Sequence, residues 1–274
     1  MKKILTACLA LTLLLTACGA SGGDTELHVF AAASLQESLT EIGAQYEKDH
    51  PGVKLIFNFD SSGTLKTQIE EGAACDLFLS AGKKQMDQLD AAVAPSVNAD
   101  APGGEEAQPD FVDSPTRVDL LENKVTLAVP AGNPKGIESF DQLARLLEEG
   151  GVFLAIGNSD VPVGQYTQKI FAYYGLDEAA LNDAGVLTYG SNVKEVTTQV
   201  AEGTVDCGVI YATDAFSAGL AVVDTAAAEM CGQVIYPAAA LKGSRFPEEA
   251  RAFLDYLRTP GAGAVLESVG FTPL

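Results

Sequence analysis

Leu27-His28-Val29-Phe30-Ala31-Ala32-Ala33-Ser34-Leu35-Gln36-Glu37-Ser38-Leu39 passes from one backbone periodicity to another. Leu27 to Ala31 is a short apolar run of strand length. Ser34 and Glu37 then stand three apart as a capping box. From there Leu35, Leu39, Ile42 and Tyr46 recur at the spacing of an amphipathic helix. His50-Pro51-Gly52 stops that helix, and Val53 to Phe59 reads as the next strand. Strand, helix, strand is the repeating unit of an α/β fold.

The unit recurs outward from this stretch. A helix over 64–71, a strand over 76–80 and a helix over 83–92 follow. Past residue 117 come a strand at 124–129, a helix at 139–148 opened by Ser139 and Gln142, and a strand at 152–156. A helix at 164–174, a strand at 186–188, a helix at 193–202 and strands at 206–210 and 236–241 complete the alternation. Helices 247–258 and 260–268 close the chain, parted by Thr259-Pro260-Gly261. Residues 95–117 break the rhythm: Pro95, Pro102, Gly103, Gly104, Pro109 and Pro115, mixed with five acidic residues, predict a mobile acidic insertion. A chain that leaves one lobe, builds a second and returns would be laid out this way. Lobe 1 is then 27–117 with 238–274, and lobe 2 is 118–237, with connections near 115–125 and 232–240 as hinge candidates. Two units in tandem fit the same pattern.

The first residues point to the compartment. Met1-Lys2-Lys3 is a basic start and Ile4 to Leu15 an apolar run too short to span a bilayer, so 1–17 reads as an export signal. Leu15-Thr16-Ala17-Cys18 matches a lipobox, predicting cleavage before Cys18 and acylation of its thiol. Residues 18–26 would form the anchor and a flexible tether, leaving an extracytoplasmic protein held to the membrane by lipid alone. Losing Lys2 and Lys3 takes the formal charge from −20 to about −22.

Such acidity excludes a nucleic-acid partner, since binding a phosphate backbone relies on Lys and Arg clusters. Enzyme motifs are missing too. There is no G-x-S-x-G elbow, P-loop or dinucleotide fingerprint, and neither His28 nor His50 is placed as a base beside a nucleophile. No CxxC occurs, so a metal-ligand set is not expected. Cys75, Cys207 and Cys231 allow either one disulfide with a free thiol or three buried thiols.

What the sequence does offer is a set of strand-to-helix junctions rich in small and hydroxyl residues. They are Ala31-Ala-Ala-Ser34-Leu35, Asp60-Ser61-Ser62-Gly63-Thr64, Val161-Pro-Val163-Gly-Gln-Tyr166 and Gly190-Ser-Asn192-Val193, with Tyr211 ending the strand Gly208-Val-Ile-Tyr211. In open α/β sheets ligands sit at such carboxyl ends, where helix N-termini offer unpaired N–H groups to an anion. Each junction taken alone is also explained as a cap, a turn or a packing residue.

Taken in order, these passages resemble the periplasmic molybdate-binding protein family, together with Gly72-Ala-Ala-Cys-Asp76-Leu-Phe-Leu-Ser80-Ala81, Val209-Ile-Tyr211-Ala-Thr-Asp214-Ala215 and the end Phe253-Leu-Asp-Tyr256-Leu to Gly270-Phe271. The resemblance runs from about Glu26 to Leu274. It implies a two-lobed α/β periplasmic-binding-protein-like fold with a hinge and an interlobe cleft, and no cofactor. It implies an oxyanion held by the hydroxyls of Ser34 and Ser62, the backbone N–H groups of Val163 and Val193, and the hydroxyl of Tyr211. Ser62 falls on the middle of the family's serine run, with Ser61 as its rival. The implied ligand is molybdate or tungstate, and the implied partner an ABC permease fed by a monomeric binding protein. A pocket of donors alone disfavours hydrogen phosphate, whose P–OH would face no acceptor, while sulfate would be rejected by size. A sister protein for sulfate or an organic anion is the alternative; a surface adhesin would need none of these junctions.

Overall fold

The computed structural model describes residues 25–93 and 110–274. The expected leader, Cys18 and the start of its tether, and residues 94–109 of the acidic stretch lie outside the described residues.

Two sheets organise the chain. The first uses β1 (Thr25–Ala32), β2 (Val53–Asp60), β3 (Leu77–Leu79), β4 (Val118–Asn123), β10 (Val234–Ala240) and β11 (Thr272–Pro273), in the order β11-β4-β10-β3-β1-β2. The second uses β5 (Val125–Val129), β6 (Leu154–Gly157), β7 (Leu187–Gly190), β8 (Cys207–Tyr211) and β9 (Ala221–Thr225), in the order β7-β6-β8-β5-β9. β1 lies parallel to both β2 and β3, and β6 parallel to both β7 and β8. Parallel neighbours require crossover helices, which cover the sheet faces and bury the strands on both sides. Accordingly Val29, Ala31, Leu77, Leu154, Ile156 and Val209 are all buried.

The chain crosses between sheets twice, at Asn123–Val125 and between Thr225 and Val234. Lobe 1 therefore keeps β4 and β10, which pair antiparallel from Val118↔Ala238 to Asn123↔Val234. The expected span of 118–237 for lobe 2 gives up those strands, and the crossings fall nearer to 124 and 226–233. β4 escaped the sequence reading because Val-Asp-Leu-Leu-Glu-Asn alternates poorly. The edge strand β9 is half exposed and equally faint.

The predicted helix at 83–92 ends early, as α3 (Lys83–Asp87). Residues 110–117, expected as part of a mobile insertion, are instead held in place. Val112 is buried and bridges to Leu241, Ser114 Oγ donates to Asp90 Oδ1 at 2.6 Å, and Arg117 pairs with both Asp87 and Asp90. Residues 110–117 thus close a small second core over Phe30, Leu65, Phe78 and Met86. Of the two states open to the cysteines, the structure takes the second: Cys75, Cys207 and Cys231 are free and buried.

Candidate functional site

On lobe 1, β1 ends at Ala32 and the chain makes a tight turn, Ala33–Leu35, before α1 (Gln36–Asp49). The capping box expected of Ser34 and Glu37 does not form. Ser34 lies inside the tight turn, caps nothing, and its Oγ stands 2.9 Å from the Tyr236 hydroxyl. β2 ends at Asp60, ahead of α2 (Ser62–Glu70). Here the two serines divide the work. Ser61 is the N-cap: its Oγ accepts from the Thr64 N–H at 3.1 Å and bonds the Thr64 hydroxyl at 2.9 Å. Ser62 is fully buried and its Oγ accepts the Ala81 N–H at 2.9 Å, leaving its own proton uncommitted.

On lobe 2, β6 leads to α5 (Pro162–Tyr174), with Val163 in the first turn, and β7 leads to α7 (Val193–Ala201). At the second junction Asn192 is the N-cap: its Oδ1 accepts the Glu195 N–H at 3.1 Å, while Glu195 Oε2 accepts the N–H of the preceding Ser191 at 2.6 Å. The N–H groups of Val163 and Val193 are among those a helix cannot satisfy from within, and they carry the positive end of its dipole. Tyr211 ends β8, buried, and among the described residues its hydroxyl makes no hydrogen bond of ordinary geometry, with the Tyr236 hydroxyl its close neighbour. Burial, reinforced by Tyr236, Tyr166 and Asp214, pushes that phenol well above its ordinary value, so it remains a donor.

Ser34, Ser62, Val163, Val193 and Tyr211 all line one small, tightly closed-down cavity, with Ser61 beside Ser62. Among the described residues no Lys or Arg lines it. Asp60 does, yet its Oδ1 is taken up by the Ser61 N–H at 2.7 Å and the Asn192 amide at 3.3 Å. A wider open groove of about 1090 Å³ flanks the cleft, but its lining of Lys66, Glu71, Lys84, Gln88 and Asp160 suits solvent better than a caged anion.

The lobes touch around this cavity. Lys194 of α7 reaches Glu37 of α1 at 2.8 Å, and Gln85 donates to Gln165 at 3.3 Å. Lys194 also stands 3.1 Å from the fully buried Asp214 of α8 (Ala212–Ser217), without the alignment of a hydrogen bond. At the tightest point a Cβ on Gly63 would stand 2.2 Å from the Asp160 carbonyl oxygen, so only glycine permits that approach.

Sequence reasoning missed two residues behind the cavity. Tyr236 and Asn123 are buried, and the Asn123 amide donates to Tyr236 Oη at 3.2 Å and Thr213 Oγ1 at 2.9 Å. Tyr236 stood at the start of a predicted strand; Asn123 sat in a strand that was not foreseen. Nothing in spacing or motif distinguishes either.

Comparison with known proteins identifies the family and the fold. A model of the bacterial extracellular solute-binding protein family matches residues 27–272. The Bacillus subtilis protein YvgL, named as an ABC transporter substrate-binding lipoprotein, is 32% identical, over 98% of this chain and 97% of its own. The Escherichia coli molybdate-binding protein ModA is 31% identical, over 91% of this chain and 90% of its own. A solved Clostridium difficile substrate-binding domain, titled as that of a molybdenum ABC transporter, superposes with a TM-score of 0.64 at 30% identity, covering 92% of this chain and all of that one.

Proposed function

The chain belongs to the bacterial extracellular solute-binding proteins, the solute-capturing components of ABC transporters, and from that premise we propose that its closed cavity holds molybdate or tungstate. The observation that carries this reading is the convergence of five neutral donors, two from lobe 1 and three from lobe 2, on one cavity that no basic side chain among the described residues lines. Fixed hydroxyl and amide dipoles replace the water around an oxyanion without a counter-charge. Helix N-termini add positive potential within their first turn, and solvent screens the distant surface acids. The formal charge of −20 therefore opposes binding only weakly.

In this reading Ser34, Ser62 and Tyr211 donate through hydroxyls, and Val163 and Val193 through main-chain N–H groups. Contacts divided between lobes make closure and binding one event, with the crossings near 124 and 226–233 as the hinge. The closed form is what an ABC permease would receive, from a monomer tethered to the membrane by an acylated Cys18. Mass spectrometry of the membrane-extracted protein should find a diacylglyceryl group on Cys18 as the new N-terminal residue.

Calorimetric titration with molybdate, tungstate, sulfate and phosphate tests the ligand. The two metal oxyanions are expected to bind tightly, sulfate weakly and phosphate not at all. Tight binding of an organic anion with no response to molybdate or tungstate would overturn the proposal.

A further inference from the structure

Glu37 is available for a task the sequence did not announce. The box expected to tie it to Ser34 does not form, and its carboxylate instead accepts from Lys194 Nζ with both oxygens, at 2.9 and 2.8 Å. Glu37 opens α1 on lobe 1 and Lys194 lies in the first turn of α7 on lobe 2, so this ion pair crosses the cleft.

A lysine is ill placed in that turn, because the helix dipole puts positive charge at its N-terminus and repels a cation there. What holds Lys194 is the fully buried Asp214, 3.1 Å away on its own lobe. Burial works against the ammonium, but Asp214 and then Glu37 outweigh it and keep Lys194 above its usual range. Nζ is thus stationed at the lobe boundary by its own lobe, which spares much of the entropy that a surface lysine gives up on pairing. Asn192 reaches across as well: while capping α7 with Oδ1, it donates from Nδ2 to Asp60 Oδ1 of lobe 1 at 3.3 Å. Between Asn192 and Lys194 stands Val193, whose main-chain N–H is one of the proposed ligand donors. One turn of helix therefore carries both the grip on the other lobe and a contact to the anion.

We propose that Lys194 and Glu37 form a latch across the cleft, positioning residues that do not line the cavity and that set how long the ligand stays. This rests on the oxyanion reading above. The pair forms when the lobes close, so it stabilises the filled state and slows its opening, while the encounter of ligand with the open cleft is unchanged.

The test turns on a sign. Glu37→Gln removes a negative charge beside the cleft of a protein whose formal charge is −20. If the field alone mattered, a dianion would bind the variant at least as tightly as wild type. A latch predicts the reverse. Release of radiolabelled molybdate from the full-length protein into excess unlabelled molybdate, at fixed ionic strength, gives the dissociation rate, and calorimetry gives the affinity. Glu37→Gln is expected to release molybdate about three- to tenfold faster, with the association rate and the melting of the ligand-free protein little changed. High salt should shrink the difference between variant and wild type, since a half-exposed ion pair is screened. In a background of Lys194→Gln with Asp214→Asn, which strands no buried carboxylate, adding Glu37→Gln should no longer speed release; should that background not fold, the single variant still decides. Release as slow as wild type or slower, or an undiminished effect in the lysine-free background, overturns the latch and leaves the oxyanion reading standing. Failure of wild type to bind any tetrahedral oxyanion would instead remove that reading, and the latch with it.

Discussion

Adjacent serines make a sharp contrast at the start of α2. Ser61→Ala removes an N-cap, and about 1 kcal/mol of stability should go with it while oxyanion affinity falls little. Ser62→Ala removes the hydroxyl that faces the cavity. It should cost about 1–3 kcal/mol of binding, as should Ser34→Ala, because an oxygen of the anion then lacks a partner. Paired melting curves and titrations check both halves, and equal affinity losses in Ser61→Ala and Ser62→Ala would remove the distinction. The sequence could place both serines at one junction but not separate them, since a cap and a ligand contact call for the same residue type. Their hydroxyls are separated by their partners: Thr64, three residues on in the same helix, for one, and Ala81, two residues past the end of β3, for the other.

Short α8 carries the element-scale consequence. Burial pushes the Asp214 carboxyl up to about 6, against the pull of Lys194. Its folded value lies above the unfolded one, near 3.9, so the folded state holds this proton more tightly. The stability it contributes is fully present below the unfolded value and is lost as pH rises through about 6. Asp214→Asn should abolish that component, worth on the order of 3 kcal/mol at most. Denaturant titrations of wild type and variant between acid and neutral pH should converge at low pH and diverge above it; parallel profiles would exclude Asp214 as the source. α8 itself was not legible in the sequence, nor were β4 and β9. Six-residue helices and strands with mixed polarity carry too few periods to stand out, whereas α1, α5 and α10 (Pro247–Leu257) repeat their apolar stripe often enough to be read. The excess in the opposite direction, at 83–92 and 110–117, has the same root. Apolar spacing does not reveal that Leu89 and Val112 leave regular structure to pack in the small core.

For the whole molecule the decisive contact is between lobes. Gly63→Ala would drive a methyl group into the Asp160 carbonyl, and closure should be hindered without unfolding either lobe. Molybdate affinity is expected to drop by about tenfold or more, with the melting temperature of the ligand-free protein little changed. Small-angle scattering should show the variant failing to contract on ligand addition; full contraction would refute the stop. The α/β alternation fits lobe exchange and two units in tandem alike; what decides between them, and sets the two crossing points, is the pairing of β4 with β10, which no local pattern announces. Because the halves meet here through main-chain atoms and not through pliable side chains, Gly63 and Asp160 act as a gauge block. In the proposed function, an ion with shorter bonds would be unable to draw the jaws any nearer, its oxygens would be left stranded from the far wall, and discrimination by calibre would be built into the backbone itself.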